Sequence, residues 1–317
     1  MAFLRQERKS SSAMMPHILF LFGAFVLVLT TFRLMSRLSN LGNDVCPPCP
    51  ISCEREPLNL PTLPTVPKLP TVKTVVSSQD QRLSMWYNSN SNLFSDSHKE
   101  WNWLTEKMKS DRCVMLDIGA NVGIFAHGLL RLFPNVDVIS FEPIPKYAEF
   151  IRRHPLSSSS RLKVETMAMG REASPTTLTL LMDKQNLGWN TLHTSPEVIE
   201  CLECMQPIEI TSMSFDYYYH QYLGPNMMKQ VSFIKIDTEG YESRVLEGMH
   251  AFLMQQALAK QLPLMLIEVA WGPTKHPNWM DEVAQFEWLI SLGYHRPHYE
   301  VSSTSNVWFI PFDNNKA

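Results

Sequence analysis

Continuous apolar runs alternate with amphipathic stretches from residue 112 onward. Runs typical of buried strands occupy 113–118, 136–141, 162–167, 231–236 and 264–269. Apolar residues at helical spacing predict helices at 121–132, 144–153, 243–256 and 281–292. Strands that alternate with helices form a parallel sheet with helices on both faces. The pattern therefore predicts one doubly wound α/β domain, with the alternating stretches 176–182 and 208–213 as an added hairpin or edge.

A charge-free apolar segment lies near the N-terminus. No Asp, Glu, Lys or Arg occurs between Lys9 and Arg33, and a helix of this length, at ~1.5 Å per residue, matches the hydrocarbon thickness of a bilayer. The run leads into Arg33 and Arg37 rather than into a small-residue cleavage site. We therefore expect a transmembrane signal anchor at 14–33, after a short tail at 1–13. A weak positive-inside bias places the N-terminus in the cytosol and the domain in the secretory-pathway lumen or outside the cell.

Residues 34–80 have the composition of a stem. Eight prolines lie between Cys46 and Pro70, and this density favours extended polyproline II over helix or central strand. We expect a semi-rigid linker here and the folded domain at 81–317. In an oxidising lumen the stem cysteines could link two chains into a homodimer, and Cys201 and Cys204 could close a local disulfide.

Charge divides unevenly between these parts. Residues 1–79 carry 8 Lys+Arg against 4 Asp+Glu, whereas residues 80–317 carry 20 against 27, so the two parts are +4 and -7. A domain of net charge -7 lacks the basic footprint of a protein that binds a phosphate backbone. We therefore expect no nucleic-acid partner.

Polar residues and glycines follow the first two predicted strands. Gly119 and Gly123 form a turn into a helix, where the backbone can approach a ligand closely and free N–H groups are available. Glu142 ends the second strand, about 20 residues later, where a carboxylate can accept hydrogen bonds from ribose hydroxyls. The glycine turn alone is equally typical of an ordinary strand–helix connection. Together the two features indicate a nucleoside-containing cofactor.

Three motifs in this order carry a family resemblance: LDIGANVG at 116–123, FEP at 141–143 and IKIDTEGYE at 234–242. They resemble the signatures of FkbM-type S-adenosylmethionine-dependent methyltransferases, over roughly residues 112–311. The resemblance implies a Rossmann-like class I methyltransferase sheet of seven strands, the last two at 296–301 and 307–311. It also implies S-adenosyl-L-methionine as the cofactor.

The resemblance assigns roles to particular residues. The cofactor's methionine moiety would lie beside the turn formed by Asp117, Gly119, Asn121 and Gly123. Its ribose would be held by Glu142, and its adenine would lie near Ala168. The loop 188–191 resembles the family's small polar insertion before the fourth strand, although less closely.

Members of the resembled family often methylate hydroxyl groups, frequently on sugars, so we expect a glycan or other small-molecule acceptor. Asp237 or Glu239 would take the acceptor proton, and Glu268 would orient or share it. Glu239 could instead cap the following helix, and Glu242 is expected to be structural. Three carboxylates could also bind a divalent metal, but no histidine at ligand spacing accompanies them, and we expect no metal. A lipid or small hydrophobic acceptor, and a tethered binding protein without catalysis, remain the alternatives.

Overall fold

The computed structural model describes residues 78–90, 104, 113–158, 160–192, 201–223, 231–269, 279–297 and 305–312. The predicted tail and anchor and nearly all of the stem, including its cysteines, lie outside these residues. Within the described ranges, no helix has the length and apolar character needed to cross a membrane. The predicted disulfide between Cys201 and Cys204 is confirmed, and Cys113 is a buried free thiol in the first strand.

The elements alternate as the sequence pattern predicts. In chain order the strands are β1 Cys113–Ile118, β2 Val136–Phe141, β3 Leu162–Glu165, β4 Ala168–Gly170, β5 Thr176–Asp183, β6 Asn190–Thr191, β7 Met205–Ser214, β8 Val231–Ile236, β9 Leu264–Val269 and β10 Ser305–Phe309. The helices are α1 Ser78–Asn90, α2 Ile124–Leu132, α3 Pro145–Arg153, α4 Phe215–Tyr218, α5 Glu242–Glu247, α6 His250–Leu258 and α7 Trp279–Leu292.

Six of the strands form the main sheet, in the order β10-β9-β8-β1-β2-β3. The pairs from β3 to β9 are parallel, and β10 runs antiparallel to β9. Every residue of β1 is buried, as expected for a central strand covered on both faces. The predicted doubly wound α/β sheet is confirmed. Of the predicted strand at 296–301, most lies outside the described residues.

A second, four-stranded sheet in the order β4-β7-β5-β6 is larger than the predicted hairpin. Its antiparallel β5–β7 pair corresponds to the two alternating stretches seen in the sequence. The predicted third strand at 162–167 was too long, because β3 ends at Glu165 and Ala168 pairs instead with Ser212 of β7. The chain therefore leaves the main sheet at this point and starts the second one.

Two helical predictions need correction. The helix expected at 243–256 is divided into α5 and α6 around Gly248, where a Cβ would lie 1.8 Å from the Gly170 carbonyl oxygen. This close contact between the helix end and β4 leaves no room for a side chain. No helix was predicted over residues 78–90, but α1 runs from Ser78 to Asn90 and buries Leu83 and Tyr87.

Candidate functional site

A cavity of about 460 Å³ lies at the carboxyl ends of β1, β2, β8 and β9. This volume is within the usual range for small-molecule and cofactor sites, and the carboxyl edge of a doubly wound sheet is where they occur. Seven of the nine predicted site residues line the cavity: Gly119, Asn121, Glu142, Ala168, Asp237, Glu239 and Glu268. The other two, Asp117 and Gly123, are not part of its lining.

The glycine turn after β1 is compact because two neighbouring strands approach it. The Gly119 amide donates to the Phe141 carbonyl of β2 over 3.0 Å. A Cβ on Gly119, whose φ is +81°, would lie 1.8 Å from the Asp237 carbonyl oxygen. Gly123 has the same φ, but its missing side chain leaves room for Ile151 of α3. Gly119 thus shapes the cavity floor, whereas Gly123 lets α2 pack on its neighbour.

Glu142 is almost completely buried and held by backbone donors. Its Oε2 accepts from the Asn121 amide and its Oε1 from the Ile144 amide, both over 2.8 Å. Burial raises the pKa of this carboxyl to about 8, despite the opposing effect of these two hydrogen bonds. The carboxyl group retains unused lone pairs and, when protonated, an O–H donor, so it can still exchange hydrogen bonds with a ligand in the cavity.

Three carboxyl groups meet at another part of the lining. Asp237 follows β8, Glu268 lies near the end of β9, and Glu239 lies two residues after Asp237, in a turn where its φ is +53°. One oxygen from each lies within 4.8 Å of the others. We name these three residues the acidic trio. Such an arrangement has the geometry to bind a proton donor, a hydroxyl group or a divalent cation.

The acidic trio divides into one charged and two neutral members near neutral pH. Burial raises the pKa of Glu239 to about 9 and that of Glu268 to about 10, and the negative charge of Asp237 adds to both shifts. Burial also acts on Asp237, but the charge of Lys235 and a hydrogen bond from Glu268 outweigh it and lower its pKa. Asp237 is therefore the carboxylate, and the two glutamic acids can donate hydrogen bonds.

Lys235 belongs to the motif at 234–242 but was not predicted as a site residue. It lies on β8, lines the cavity, and its Nζ is 2.8 Å from Asp237 Oδ2 and 3.7 Å from Asp117 Oδ1. Burial alone would lower its pKa, but the two aspartates raise it above the ordinary value. In an extended chain, side chains two residues apart point to the same face, so Lys235 on β8 faces the same way as Asp237 directly after it. This spacing could have identified the lysine from the sequence.

Asp117 lies beneath the cavity and not on its surface. Its side chain is completely buried, and it is the register partner of Lys235 across the β1–β8 pair. Burial raises the pKa of Asp117, although the charge of Lys235 opposes that shift. The prediction placed this residue in the turn beside the cofactor, but a completely buried carboxyl group acts on the cavity through Lys235. The cofactor-binding role of Asp117 stays a prediction, and the structure connects this residue to the cavity lining through Lys235.

Glu242 has the structural position expected from the sequence. Its Oε1 accepts from the Thr238 amide over 2.7 Å, from the Thr238 hydroxyl over 3.0 Å and from the Gly240 amide over 3.3 Å. These hydrogen bonds fix the turn that carries Glu239 into the cavity. Glu239 itself lines the cavity, whereas Glu242 closes the turn before α5.

Some cavity-lining residues that the sequence did not predict come from distant parts of the chain. Trp86 and Asn90 reach the cavity from α1, and Asn306 reaches it from β10. The segment 187–191 is held over the cavity at two points: Asn121 Nδ2 donates to the Leu187 carbonyl over 3.0 Å, and Thr191 Oγ1 donates to the Glu239 carbonyl over 2.9 Å. The loop 188–191 was noted for its family resemblance, but no motif or periodicity in the sequence indicates Trp86, Asn90 or Asn306.

Residues 117–295 match the family described as the Methyltransferase FkbM domain. The match covers more than half of the chain and includes the glycine turn, Glu142 and the acidic trio. The chain belongs to this family. The resemblance read from the three motifs is therefore confirmed, and the cofactor of this FkbM methyltransferase is S-adenosylmethionine.

One curated relative and two solved structures illustrate the range of similarity. "Methyltransferase 1" of Beauveria bassiana (strain ARSEF 2860) is 28% identical over 150 residues, which are 44% of this chain and 59% of that protein. A putative rRNA methylase of Clostridium thermocellum has a TM-score of 0.39 at 8% identity, covering 67% of this chain and 91% of its own. Aeropyrum pernix fibrillarin with bound S-adenosyl-L-methionine has a TM-score of 0.34 at 9% identity, covering 67% and 73%. Both TM-scores are below 0.5, so we draw no conclusion about this chain from either structure.

Proposed function

We propose that this FkbM methyltransferase is a membrane-anchored O-methyltransferase that acts on a hydroxyl group of a glycan or glycoconjugate. The observation that supports O-methylation is the acidic trio, in which one ionised carboxylate, paired with a lysine, stands beside two neutral carboxylic acids. A hydroxyl is a poor nucleophile, and a positioned base assists its attack.

The cavity fits S-adenosylmethionine in both shape and polarity. The buried carboxyl group of Glu142 lines the cavity and is suited to ribose hydroxyls. Gly119 lets the Asp237 backbone approach the turn closely, which keeps the cavity floor compact beside the methionine part. Ala168 offers a small apolar surface for the adenine. When bound, this cofactor supplies an electrophilic methyl group, for which in-line positioning of the acceptor provides much of the acceleration.

Asp237 is the base in this proposal. The acceptor hydroxyl gives its proton to the Asp237 carboxylate as its oxygen forms the bond to the methyl carbon, and the carbon–sulfur bond breaks to leave a neutral thioether. Glu239 and Glu268 donate hydrogen bonds that orient the acceptor oxygen or the base. Lys235 keeps Asp237 ionised before transfer and faces the resulting neutral acid after it.

A sugar acceptor suits the polar groups around the acidic trio better than a hydrocarbon does. Asn190, Thr238, Tyr241 and Asn306 line the cavity together with the trio. Their amides and hydroxyls can both donate and accept hydrogen bonds, as adjacent sugar hydroxyls require. We therefore favour a carbohydrate over a lipid or small hydrophobic molecule.

The anchored location rests on the charge-free sequence at 14–33. The Cys201–Cys204 disulfide supports a domain in an oxidising compartment, where disulfides persist. We expect the full chain to stay with membranes after a carbonate wash and a chain that starts at Ser77 to be released. A mature N-terminus beyond Arg37 would contradict the anchor but leave the enzymatic proposal intact.

Methyl transfer can be tested directly with labelled S-adenosylmethionine. The chain that starts at Ser77 is incubated with released glycans, with glycolipids and with a lipid extract, and labelled products are separated by class. Base-stable label in the glycan fraction is expected, because an ether resists alkali whereas a methyl ester does not. Label confined to the lipid extract would favour the alternative acceptor, and binding of cofactor without transfer to any pool would favour a non-catalytic protein.

A further inference from the structure

We propose that α1 is part of the cofactor site and that Trp86 stacks on the adenine of S-adenosylmethionine. This helix ends at Asn90, before the region that matches the family begins at residue 117. Trp86 and Asn90 line the same cavity as Glu142 and Ala168. The inference rests on the cofactor and not on the identity of the acceptor.

The position of Trp86 points to the adenine and not to the reacting centre. Its ring packs on an apolar cluster that contains Ala168, Ile144 and Leu180, and all three also line the cavity. Ile144 is two residues from the ribose-binding candidate Glu142, and its amide donates to that carboxylate. An aromatic ring in an apolar wall beside a ribose site suits a purine base.

Neighbours on both sides of Trp86 hold α1 in place. Leu83 and Tyr87 are buried, and the Tyr87 hydroxyl is 3.2 Å from His127 Nδ1 on α2. Arg82 Nη2 donates to the Lys184 carbonyl over 2.7 Å. Because the helix is fixed against the domain, Trp86 is ordered before the ligand arrives, which reduces the entropic cost of stacking.

Trp86 also restricts position 188, which lies against its ring, to glycine. A Cβ on Gly188 would lie 2.8 Å from Trp86 Cζ2, so the indole occupies the space that a side chain at position 188 would need. Gly188 belongs to the segment 187–191, which is held by Asn121 on one side and Glu239 on the other. The tryptophan and this segment therefore enclose the cavity together.

The test measures binding of S-adenosylhomocysteine and of 5′-methylthioadenosine, which lacks the amino-acid end, by calorimetry on the chain that starts at Ser77. Trp86→Ala should weaken both ligands by the same factor, about 5- to 100-fold, which is the usual cost of losing a base–aromatic stack. Trp86→Phe should restore most of the affinity. Met85→Ala is the matched control, because Met85 is 69% exposed on the same helix and does not line the cavity.

Three outcomes would overturn the proposal. Unchanged affinity of a folded Trp86→Ala protein for both ligands would remove the stack. An equal loss in Met85→Ala, or failure of Trp86→Phe to recover binding, would reduce α1 to a packing element. A defect seen only in acceptor kinetics would move Trp86 to the acceptor side. If the unmodified protein bound neither ligand, the cofactor assignment itself would fail, which is a separate result.

Discussion

The two carboxylate sites of the cavity are stabilised in different ways. Glu142 is held by two backbone amides, whose positions are fixed by the turn after β1 and the start of α3. Asp237 is held by a side chain, since the charge of Lys235 lowers its pKa against the effect of burial. Backbone donors make Glu142 a rigid binding group, whereas the protonation state of Asp237 depends on the charge of one neighbouring side chain.

The electrostatic cost of burying an ionised carboxyl group also differs between the two sites. At Glu142 one carboxyl group is buried among neutral amides, and its pKa rises to about 8. In the acidic trio, three carboxyl groups share one nearby lysine, so only one of them can be ionised without large repulsion. The binding site therefore needs one hydrogen-bonded carboxyl group, whereas the proposed catalytic site depends on a difference in protonation between neighbouring groups.

Removing the proposed base should have the largest effect. Asp237→Asn keeps the shape of the side chain but cannot accept the acceptor proton, and we expect turnover to fall about 10²- to 10⁴-fold. The affinity for S-adenosylhomocysteine should not change. Turnover is measured with the acceptor pool that gives label, and binding is measured by calorimetry.

Two variants in the same motif serve as controls for Asp237→Asn. Glu239→Gln resembles the neutral acid that is already present and should lower turnover by less than about 10-fold, below the range of base removal. Glu242→Gln should lower thermal stability with little change in rate, because Glu242 only fixes the turn. Normal turnover of Asp237→Asn would mean that positioning alone drives the reaction and that the base assignment is wrong.

Glu142→Ala tests the binding side of the comparison. The ribose would lose its hydrogen bonds to the carboxyl group, which for two neutral hydrogen bonds cost about 1–3 kcal/mol, or about 5- to 150-fold in cofactor affinity. The amides of Asn121 and Ile144 also lose their partner, so the melting temperature is measured in parallel. A folded variant with unchanged affinity would show that Glu142 only fixes the turn.

Lys235→Met should disturb both the base and the core. Without the ammonium group the pKa of Asp237 rises through burial, and an increase to one or two units above pH 7 would lower turnover at that pH by about 10- to 100-fold. The loss should diminish as the pH is raised. Asp117 would remain as a buried charge without a partner, at a cost of about 3–5 kcal/mol in the free energy of unfolding.

The double variant Lys235→Met/Asp117→Asn separates these two effects. Its stability should recover, because the buried charge is gone, while its pH–rate profile should stay shifted to higher pH. If turnover recovers together with stability, Lys235 supports the fold and does not maintain the ionised state of Asp237.

The site residues that the sequence predicted and those that it missed differ in where they lie relative to the alternating strands and helices. Gly119, Glu142, Asp237 and Glu268 follow buried strands, and the ends of parallel strands meet at one edge of a sheet, so periodicity alone brings them together. Trp86 and Asn306 come from outside that repeat, because their positions depend on how α1 and β10 pack on the domain. Local patterns carry no information about such contacts.

Asp117 and Lys235 illustrate a second limit. The strand prediction included both residues, but their pairing depends on the β1–β8 register, which joins positions more than 100 residues apart. The direction of a side chain relative to the cavity is set by that register. A sequence pattern could therefore place Asp117 at the correct sheet edge but could not show that it lies beneath the cavity surface.

The pH dependence of stability gives a further test of the acidic trio. A glutamate has a pKa of about 4.3 in an unfolded chain, while burial raises the pKa of Glu142 to about 8, of Glu239 to about 9 and of Glu268 to about 10. At a pH between the unfolded and the folded pKa of each group, the folded state holds a proton that the unfolded state has released. Raising the pH in this range therefore favours unfolding. Stability should therefore fall as the pH rises from about 5 to 9.

Glu268→Gln is the variant that assigns this slope to the acidic trio. The amide retains the shape and a hydrogen-bond donor of the neutral acid but cannot ionise, so the melting temperature of the variant should decrease less between pH 5 and pH 9. Glu203→Gln is the control: Glu203 is exposed on a short helical turn, and its replacement should leave the slope unchanged. Equal slopes for the unmodified protein and Glu268→Gln would mean that Glu268 is already ionised at neutral pH. The trio would then hold more than one negative charge beside Lys235, and the division into one base and two neutral donors would be wrong.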